Sequence, residues 1–297
     1  LHSFPTRRSS DLKFLGKVKT NIVNMIFVKG YGQMCNNILQ YAHAYVWGKE
    51  NNVKVVSMRF AYKYRYFEVC NYKYHRWPVY LFAKMLIKLQ LIKCFFLDEP
   101  TDVTPDVLAE LKRHRMVAID GWQFRFPELF MKYRTEIKDM FAFKSLVLNK
   151  IKSFLEEHAK ADGADVRLAV HIRRGDYKVW MGGKYFFNDD VYIEHIRQFL
   201  DNFPDKKVSV FICTNDRNLN VNCYREALGL KSIYCPKGNE AEDLCLLSQC
   251  DYIIGVKSTF SLMAAFYNNR PIYWIMDKNA PLQLSNFSSF EKLFMTV

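Results

Sequence analysis

The residues best equipped for chemistry lie together at the end of one apolar run, Val170-His171-Ile172-Arg173-Arg174-Gly175-Asp176-Tyr177. A guanidinium can fork two N–H donors onto a phosphate, and its charge does not depend on working pH. Two adjacent arginines followed by Gly-Asp therefore suit an anionic ligand such as a diphosphate. They equally suit a structural Arg–Asp ion pair between two parts of the fold, and residue chemistry leaves both open. Ser258-Thr259 directly precedes an apolar helical run. One or both hydroxyls can cap that helix while its free N–H groups face a phosphate, and an ordinary N-cap without ligand is the other reading. Asp243, near a helix start, also has the position of a cap, and Asn215-Asp216 follows another apolar run. No Asp-x-Asp pair occurs in the chain. No divalent metal is therefore implied, and a phosphate leaving group would have to be neutralised by arginine.

Ligands of open α/β sheets bind outside the carboxyl ends of the strands, so the elements that carry these residues matter. In the second half the hydrophobic pattern predicts strands at 167–172, 208–213, 232–235, 252–256 and 271–275. Helices are predicted between them, at 190–203, 222–228, 241–250 and 259–268. Such alternation implies a parallel sheet covered on both faces. The first half opens with a strand at 25–28, a glycine turn Gly30-Tyr31-Gly32, and a helix at 36–51 with Ile38, Leu39, Ala42, Tyr45 and Val46 at helical spacing. A strand at 53–58, a helix at 105–114, a strand at 116–120 and helices at 127–141 and 145–160 follow. The last of these ends at Ala161-Asp162-Gly163-Ala164-Asp165, a composition typical of a boundary. The expected organisation is an α/β fold with one domain over 25–162 and a second over 163–297, a ligand crevice between them. Residues 1–24 are expected to be a non-native or disordered leader: LHSFPTRRSSDL lacks apolar periodicity and reads as translated cloning-adapter sequence, with a natural start at Met25.

Half of the residues are hydrophobic and a quarter charged, which excludes a disordered chain. The formal net charge of +13 favours anionic partners (nucleic acid, acidic lipid or a phosphorylated small molecule) or reflects a lysine-rich solvated surface. Residues 60–78 interleave Tyr, Lys and Arg, which suits stacking on bases or sugars, an exposed strand pair or an oligomer contact. The chain lacks an RNA-binding signature, so nucleic acid is not expected as a partner. None of the eight cysteines forms a Cys-x-x-Cys pair, and several lie inside apolar runs. Buried free thiols in a reducing compartment are expected, with no zinc site. The most apolar stretch, 79–97, carries Lys84, Lys88 and Lys93 and makes a poor membrane span. It is expected to be a buried or interfacial helix with snorkelling lysines.

The run His171-x-Arg173-Arg174-x-Asp176-Tyr177 resembles the hallmark of the bacterial α-1,2-fucosyltransferases, glycosyltransferase family 11, and of the related α-1,6- and protein O-fucosyltransferases. Gly30-x-Gly32-Gln33-Met34-x-Asn36, then Gln40-Tyr41-Ala42, is similar to that family's N-terminal Gly-x-Gly-Asn-Gln-Met-Phe-Gln-Tyr-Ala segment, with the Asn-Gln order shuffled. Asp243, Ser248-Gln249 and Ser258-Thr259-Phe260-Ser261 resemble its third block, and the likeness runs over roughly 25–274. The resemblance implies two Rossmann-like α/β domains facing across a cleft, the GT-B type. It implies inverting transfer of L-fucose from GDP-fucose to a galactoside hydroxyl, in α-1,2 linkage, on a surface glycan. Donor contacts are implied for Gly32, Asn36, His171, Arg173, Arg174, Asp216, Asp243, Ser258, Thr259 and Ser261. Arg173, Arg174 and Asp176 are implied as catalytic, Asp176 either as general base or as the group that orients Arg173, and His171 as an orienting group near the nucleotide. Neither a metal nor another cofactor is expected. The acceptor is expected to be a galactose-terminated oligosaccharide or a lipid-linked saccharide. The absence of a signal-peptide pattern adds to the cysteines in predicting a cytoplasmic enzyme, resting peripherally on the anionic inner membrane face. Two other readings use the same features. A sulfotransferase-like enzyme would carry a phosphate loop with lysine near the first strand, which Gly30-Tyr31-Gly32-Gln33-Met34 lacks. A basic nucleic-acid-binding protein would rest on charge and residues 60–78 alone.

Overall fold

The computed structural model describes residues 24–297; the leader expected over 1–24 lies, apart from Asn24, outside them. The chain runs β1 (Met25–Val28), α1 (Met34–Glu50), β2 (Lys54–Ser57), α2 (Trp77–Lys88), β3 (Lys93–Phe96), α3 (Pro105–Arg113), β4 (Met116–Asp120), α4 (Pro127–Lys132), α5 (Arg134–Met140) and α6 (Ser145–Asp162). It continues with β5 (Val166–Ile172), α7 (Asp189–Asp201), β6 (Val208–Thr214), α8 (Val221–Leu228), β7 (Ile233–Tyr234), α9 (Glu240–Gln249), β8 (Tyr252–Val256), α10 (Thr259–Asn268), β9 (Ile272–Ile275) and α11 (Phe290–Phe294).

Two sheets form, ordered β2-β1-β4-β3 and β7-β6-β5-β8-β9, and every strand pair within them is parallel. Parallel strands buried on both faces read as continuous apolar runs. Met25-Ile26-Phe27-Val28 and Tyr252-Ile253-Ile254-Gly255-Val256 do so. One large core joins α1, the inner face of the first sheet, α9 and α10, and reaches Phe290 and Phe294 of α11. A second core fills the other face of the second sheet under α7 and α8. The outer face of the first sheet, with Phe27, Val56 and Ala118, is covered by Ala83 and Ile87 of α2.

Three expectations are corrected. The apolar stretch 79–97 is not one helix: α2 ends at Lys88, and residues 93–96 form β3 in the first sheet. The stop is a left-handed cap at Gln90 (φ 56°), whose N–H donates to the Ile87 carbonyl while Leu91 N–H donates to that of Leu86. That cap normally uses glycine, so glutamine hides it from a sequence reading. Residues 60–78 form no strand pair but turns, a short 3-10 segment and, from Trp77, the start of α2, and Phe60, Tyr64 and Phe67 enter the core. The helix expected over 127–141 is broken at Tyr133 into α4 and α5.

Candidate active site

In the second sheet the chain steps outward from β5 through β6 to β7 on one side and from β8 to β9 on the other. The reversal lies between β5 and β8, where the loops after those strands open a crevice. The Arg-Arg loop follows β5, and Ser258 and the start of α10 follow β8. Tyr177 ties the two loops: its hydroxyl donates to the Lys257 carbonyl at 2.8 Å. Ser258 caps α10 by accepting from Phe260 N–H at 3.1 Å.

The two arginines have different circumstances. Arg173 donates to Asp176 Oδ2 at 2.9 Å, and that carboxylate is more than half exposed. Arg174 is nearly buried between the rings of Phe186 and Tyr192 and donates to Asp189 Oδ1, an oxygen that also accepts from the Tyr224 hydroxyl at 2.7 Å. Gly175 turns the chain with φ 63°. Asn215 fixes the loop from the end of β6, accepting from Arg174 N–H at 2.7 Å and donating to its carbonyl at 3.2 Å. The sequence placed Asn215 beyond a strand end, where the family resemblance implies a donor or acceptor contact; its role as a backbone clamp is visible only here.

His171, the penultimate residue of β5, is buried and stacked on Phe260 of α10, ring centroids 4.9 Å apart. Burial first, and then the Arg173 charge, lowers its pKa to about 3. It is therefore a neutral imidazole at working pH, and Nδ1 has no protein partner among the described residues. Asp243 is not the cap of α9: Asn239 is, accepting from Ala241 and Glu242 N–H at 3.0 Å. Asp243 follows one turn later, with its carboxyl beside Gly238. Burial, then Glu242 and Glu240, raises its pKa to about 7.

The remaining residues are placed unevenly. Asn36, in the first turn of α1, accepts from the Thr259 hydroxyl at 2.5 Å, so the N-terminal ends of α1 and α10 meet. Gly32 lies in the exposed turn just before α1, at φ 55°. Asp216 closes a local turn, accepting from Asn218 N–H at 2.9 Å. Ser261 is fully buried; its hydroxyl donates to the Val256 and Ser258 carbonyls and accepts from Trp274 Nε1. Among the described residues no cluster of His, Cys, Asp and Glu could hold a metal ion.

The family model "Glycosyl transferase family 11" matches residues 113–293, more than half of the chain. The chain belongs to glycosyl transferase family 11. Its match includes β5, the Arg-Arg loop and the start of α10. No curated protein matches it. Among solved structures, an Arabidopsis thaliana FUT1 mutant in complex with GDP is similar at 12% identity and TM-score 0.63, over 90% of this chain and 74% of that one. POFUT1 in complex with GDP-fucose is similar at 11% identity and TM-score 0.57, over 86% of this chain and 96% of that one. NodZ alpha-1,6-fucosyltransferase soaked with GDP-fucose is similar at 14% identity and TM-score 0.53, over 90% and 98%. At such identities the likeness speaks for the fold, and it agrees with the family 11 expectation of a GT-B type α/β architecture.

Proposed function

We propose that this family 11 protein is an inverting fucosyltransferase that moves L-fucose from GDP-fucose to a galactoside hydroxyl, in α-1,2 linkage. The observation that carries the reading is Arg173, set at the reversal point of the second sheet beside the N-terminus of α10. A guanidinium and a helix N-terminus are the two devices that hold a diphosphate without metal. GDP as leaving group gathers charge on its β-phosphate, and Arg173 opposes that charge as the bond to the anomeric carbon breaks. The acceptor hydroxyl attacks in line from the opposite face, which inverts the centre. Asp176, held on Arg173, sets the direction of the guanidinium. His171, neutral and stacked on Phe260, is an orienting group near the nucleotide. Asp243 leaves a carboxyl that titrates near neutrality. The names of the similar structures, which include GDP and GDP-fucose complexes, support this donor.

The sulfotransferase-like and nucleic-acid readings lose their ground to the family assignment. Radiolabelled transfer from GDP-fucose to lactose, with the linkage read by NMR, tests the proposal; a family of donors tried in parallel with no preference for GDP-fucose overturns it. We also propose that no divalent metal takes part, on the absence of an Asp-x-Asp pair. Activity should survive exhaustive EDTA, and a loss restored by manganese refutes that part.

We further propose that the protein meets an anionic bilayer through α2. Trp77, Leu81, Phe82, Met85 and Leu89 are 45–59% exposed on its outer side. Over residues 59–93, Arg59, Lys63, Arg65, Lys73, Arg76, Lys84, Lys88 and Lys93 stand against one acid, Glu68. Two copies meeting on this face would oppose like charges, whereas an anionic leaflet complements it. No helix among the described residues is long and apolar enough to cross a membrane.

A further inference from the structure

Asn37, Gln40 and His43 follow one another at intervals of three along the otherwise apolar α1, and each is at most 2% exposed. Burying a polar side chain is unfavourable unless its groups are paired. Asn37 is paired within the turn after β1, accepting from Tyr31 N–H at 3.0 Å and donating to the Tyr31 and Gln33 carbonyls at 3.0 and 2.7 Å. Gln40 and His43 hold the loop after β4 instead. Gln40 Nε2 donates to the Gly121 carbonyl at 2.5 Å, and His43 Nδ1 accepts from Phe126 N–H at 3.0 Å. Each keeps one unused atom: Gln40 Oε1 and His43 Nε2 are buried and have no partner among the described residues. The His43 ring is neutral and accepts at Nδ1, so its proton is on Nε2, which is a donor.

The loop anchored at Gly121 and Phe126 carries Arg125 between those two points. Its guanidinium folds back over the Trp122 ring, 4.5 Å from the centroid, and so runs along the stretch that Gln40 and His43 hold. Both Nη1 and Nη2 are buried, and neither has a partner among the described residues. Burial lowers the Arg125 pKa to about 10 with no carboxylate to offset it, and the group stays a cation at working pH. That charge is felt at His43, where it adds to burial in lowering the pKa of the ring. A buried cation without a counter-charge is among the costliest arrangements in a fold, and a neutral partner would leave the charge uncompensated. Arg174, nearly buried as well, has Asp189. Around Arg125 the unused donors outnumber the one unused acceptor, Gln40 Oε1.

We infer that Arg125 and His43 bind one small monovalent anion, of the size of chloride or formate, between α1 and the loop after β4. Arg125 Nη1 and Nη2 and His43 Nε2–H are its donors, and the ion supplies the missing counter-charge. Nitrogens enclosed to this degree admit an ion that sheds its water, not a phosphate ester or a sugar acid. The ion ties the loop to α1 and fixes Trp122, whose ring meets that of Tyr31 from the turn after β1, centroids 5.6 Å apart. Arg173 and Arg174 follow β5 in the other sheet and take no part.

Thermal unfolding of the whole chain tests for the ion, with sodium gluconate replaced stepwise by sodium chloride or sodium formate at constant ionic strength. The Tm should rise along a saturating curve, by about 2–5 °C at a roughly tenfold excess over Kd. Arg125→Met removes the charge but keeps a long side chain. It should be at least as stable as the parent in gluconate and should lose the chloride response. An equal response in parent and variant overturns the inference, because it would come from the surface. Crystals of the parent grown in bromide decide the matter even where the variant does not fold. An anomalous peak is expected within hydrogen-bonding distance of Arg125 Nη1 or Nη2 and of His43 Nε2. A bridging water in that place, or bromide on surface lysines alone, overturns it as well.

Discussion

Arg173 has one exposed partner, Asp176, whereas Arg174 is enclosed by two rings and tied to Asp189, which Tyr224 also holds. Their substitution should therefore separate binding from stability. Arg173→Ala should weaken GDP by about 1.5–3 kcal/mol, the cost of one hydrogen bond to a charged group. Calorimetry would then read a roughly 10- to 150-fold rise in Kd with little change in unfolding. Arg174→Ala should instead lose roughly 1–3 kcal/mol of stability, because Asp189 loses its cationic partner. If both variants bind GDP as the parent does, the Arg-Arg loop is not the donor site. Asp176→Asn keeps size but weakens the hold on Arg173. The expected result is a raised KM for GDP-fucose with an unchanged pH profile. A collapsed kcat with loss of the basic-side titration would make Asp176 the general base.

At the scale of the element, α2 has two apolar sides. One closes the outer face of the first sheet through Ala83 and Ile87, and the other carries Leu81, Phe82, Met85 and Leu89 into solvent. An exposed apolar patch of this kind, rimmed by lysine, marks an interaction surface. Co-sedimentation with vesicles of anionic lipid should pull the protein down at low salt and less so as salt rises, at about 1 kcal/mol per well-placed lysine or arginine. Lys84→Glu with Lys88→Glu should abolish this without affecting the fold, since both residues are exposed. Equal binding to neutral vesicles, or pelleting that ignores the charge reversal, would refute the bilayer as partner.

The whole molecule should lose stability in mild acid. His171 has its pKa lowered to about 3 and His75 to about 4, and His43 lies well below its ordinary value, in each case chiefly through burial. His75 is held neutral by its contacts, accepting from Ser57 N–H at 2.9 Å and meeting the Val69 carbonyl at 2.8 Å. Unfolded histidine takes up its proton near pH ~6.5. Below that value the unfolded chain binds more protons than the folded one, so stability falls as pH drops from about 6.5 towards 4. Asp243 works in the opposite sense: the contribution of its raised pKa is fully present below about 3.9, the unfolded value, and is lost as pH rises to about 7. One carboxyl opposes four histidines, since burial lowers the His195 pKa as well, each contributing at most about 1.4 kcal/mol per pH unit. Urea midpoints compared between about pH 7.5 and about pH 5 check the sign. A midpoint that holds or rises on the acid side would show that the buried histidines are not neutral in the folded state.

Apart from β3, the strands of both sheets were legible in the sequence, because burial on both faces of a parallel sheet requires uninterrupted apolar runs such as Tyr252-Ile253-Ile254-Gly255-Val256. The Arg-Arg and Ser-Thr loops followed from their place at the ends of two of those strands. What the tertiary structure decided is which polar residues work together. Arg173 and Arg174 look alike in a line of letters, and only the packing of Phe186, Tyr192 and Asp189 around the second tells them apart. The end of α2 was hidden because glutamine carries no left-handed preference, and the cap is set by the hydrogen bonds of Gln90 and Leu91. Asn37, Gln40 and His43 read as misfits in an apolar helix until the loops they hold are brought against them from up to 83 residues away. Hydrophobic periodicity reports which side of an element is buried, but a hydrogen bond between distant loops leaves no period in the sequence.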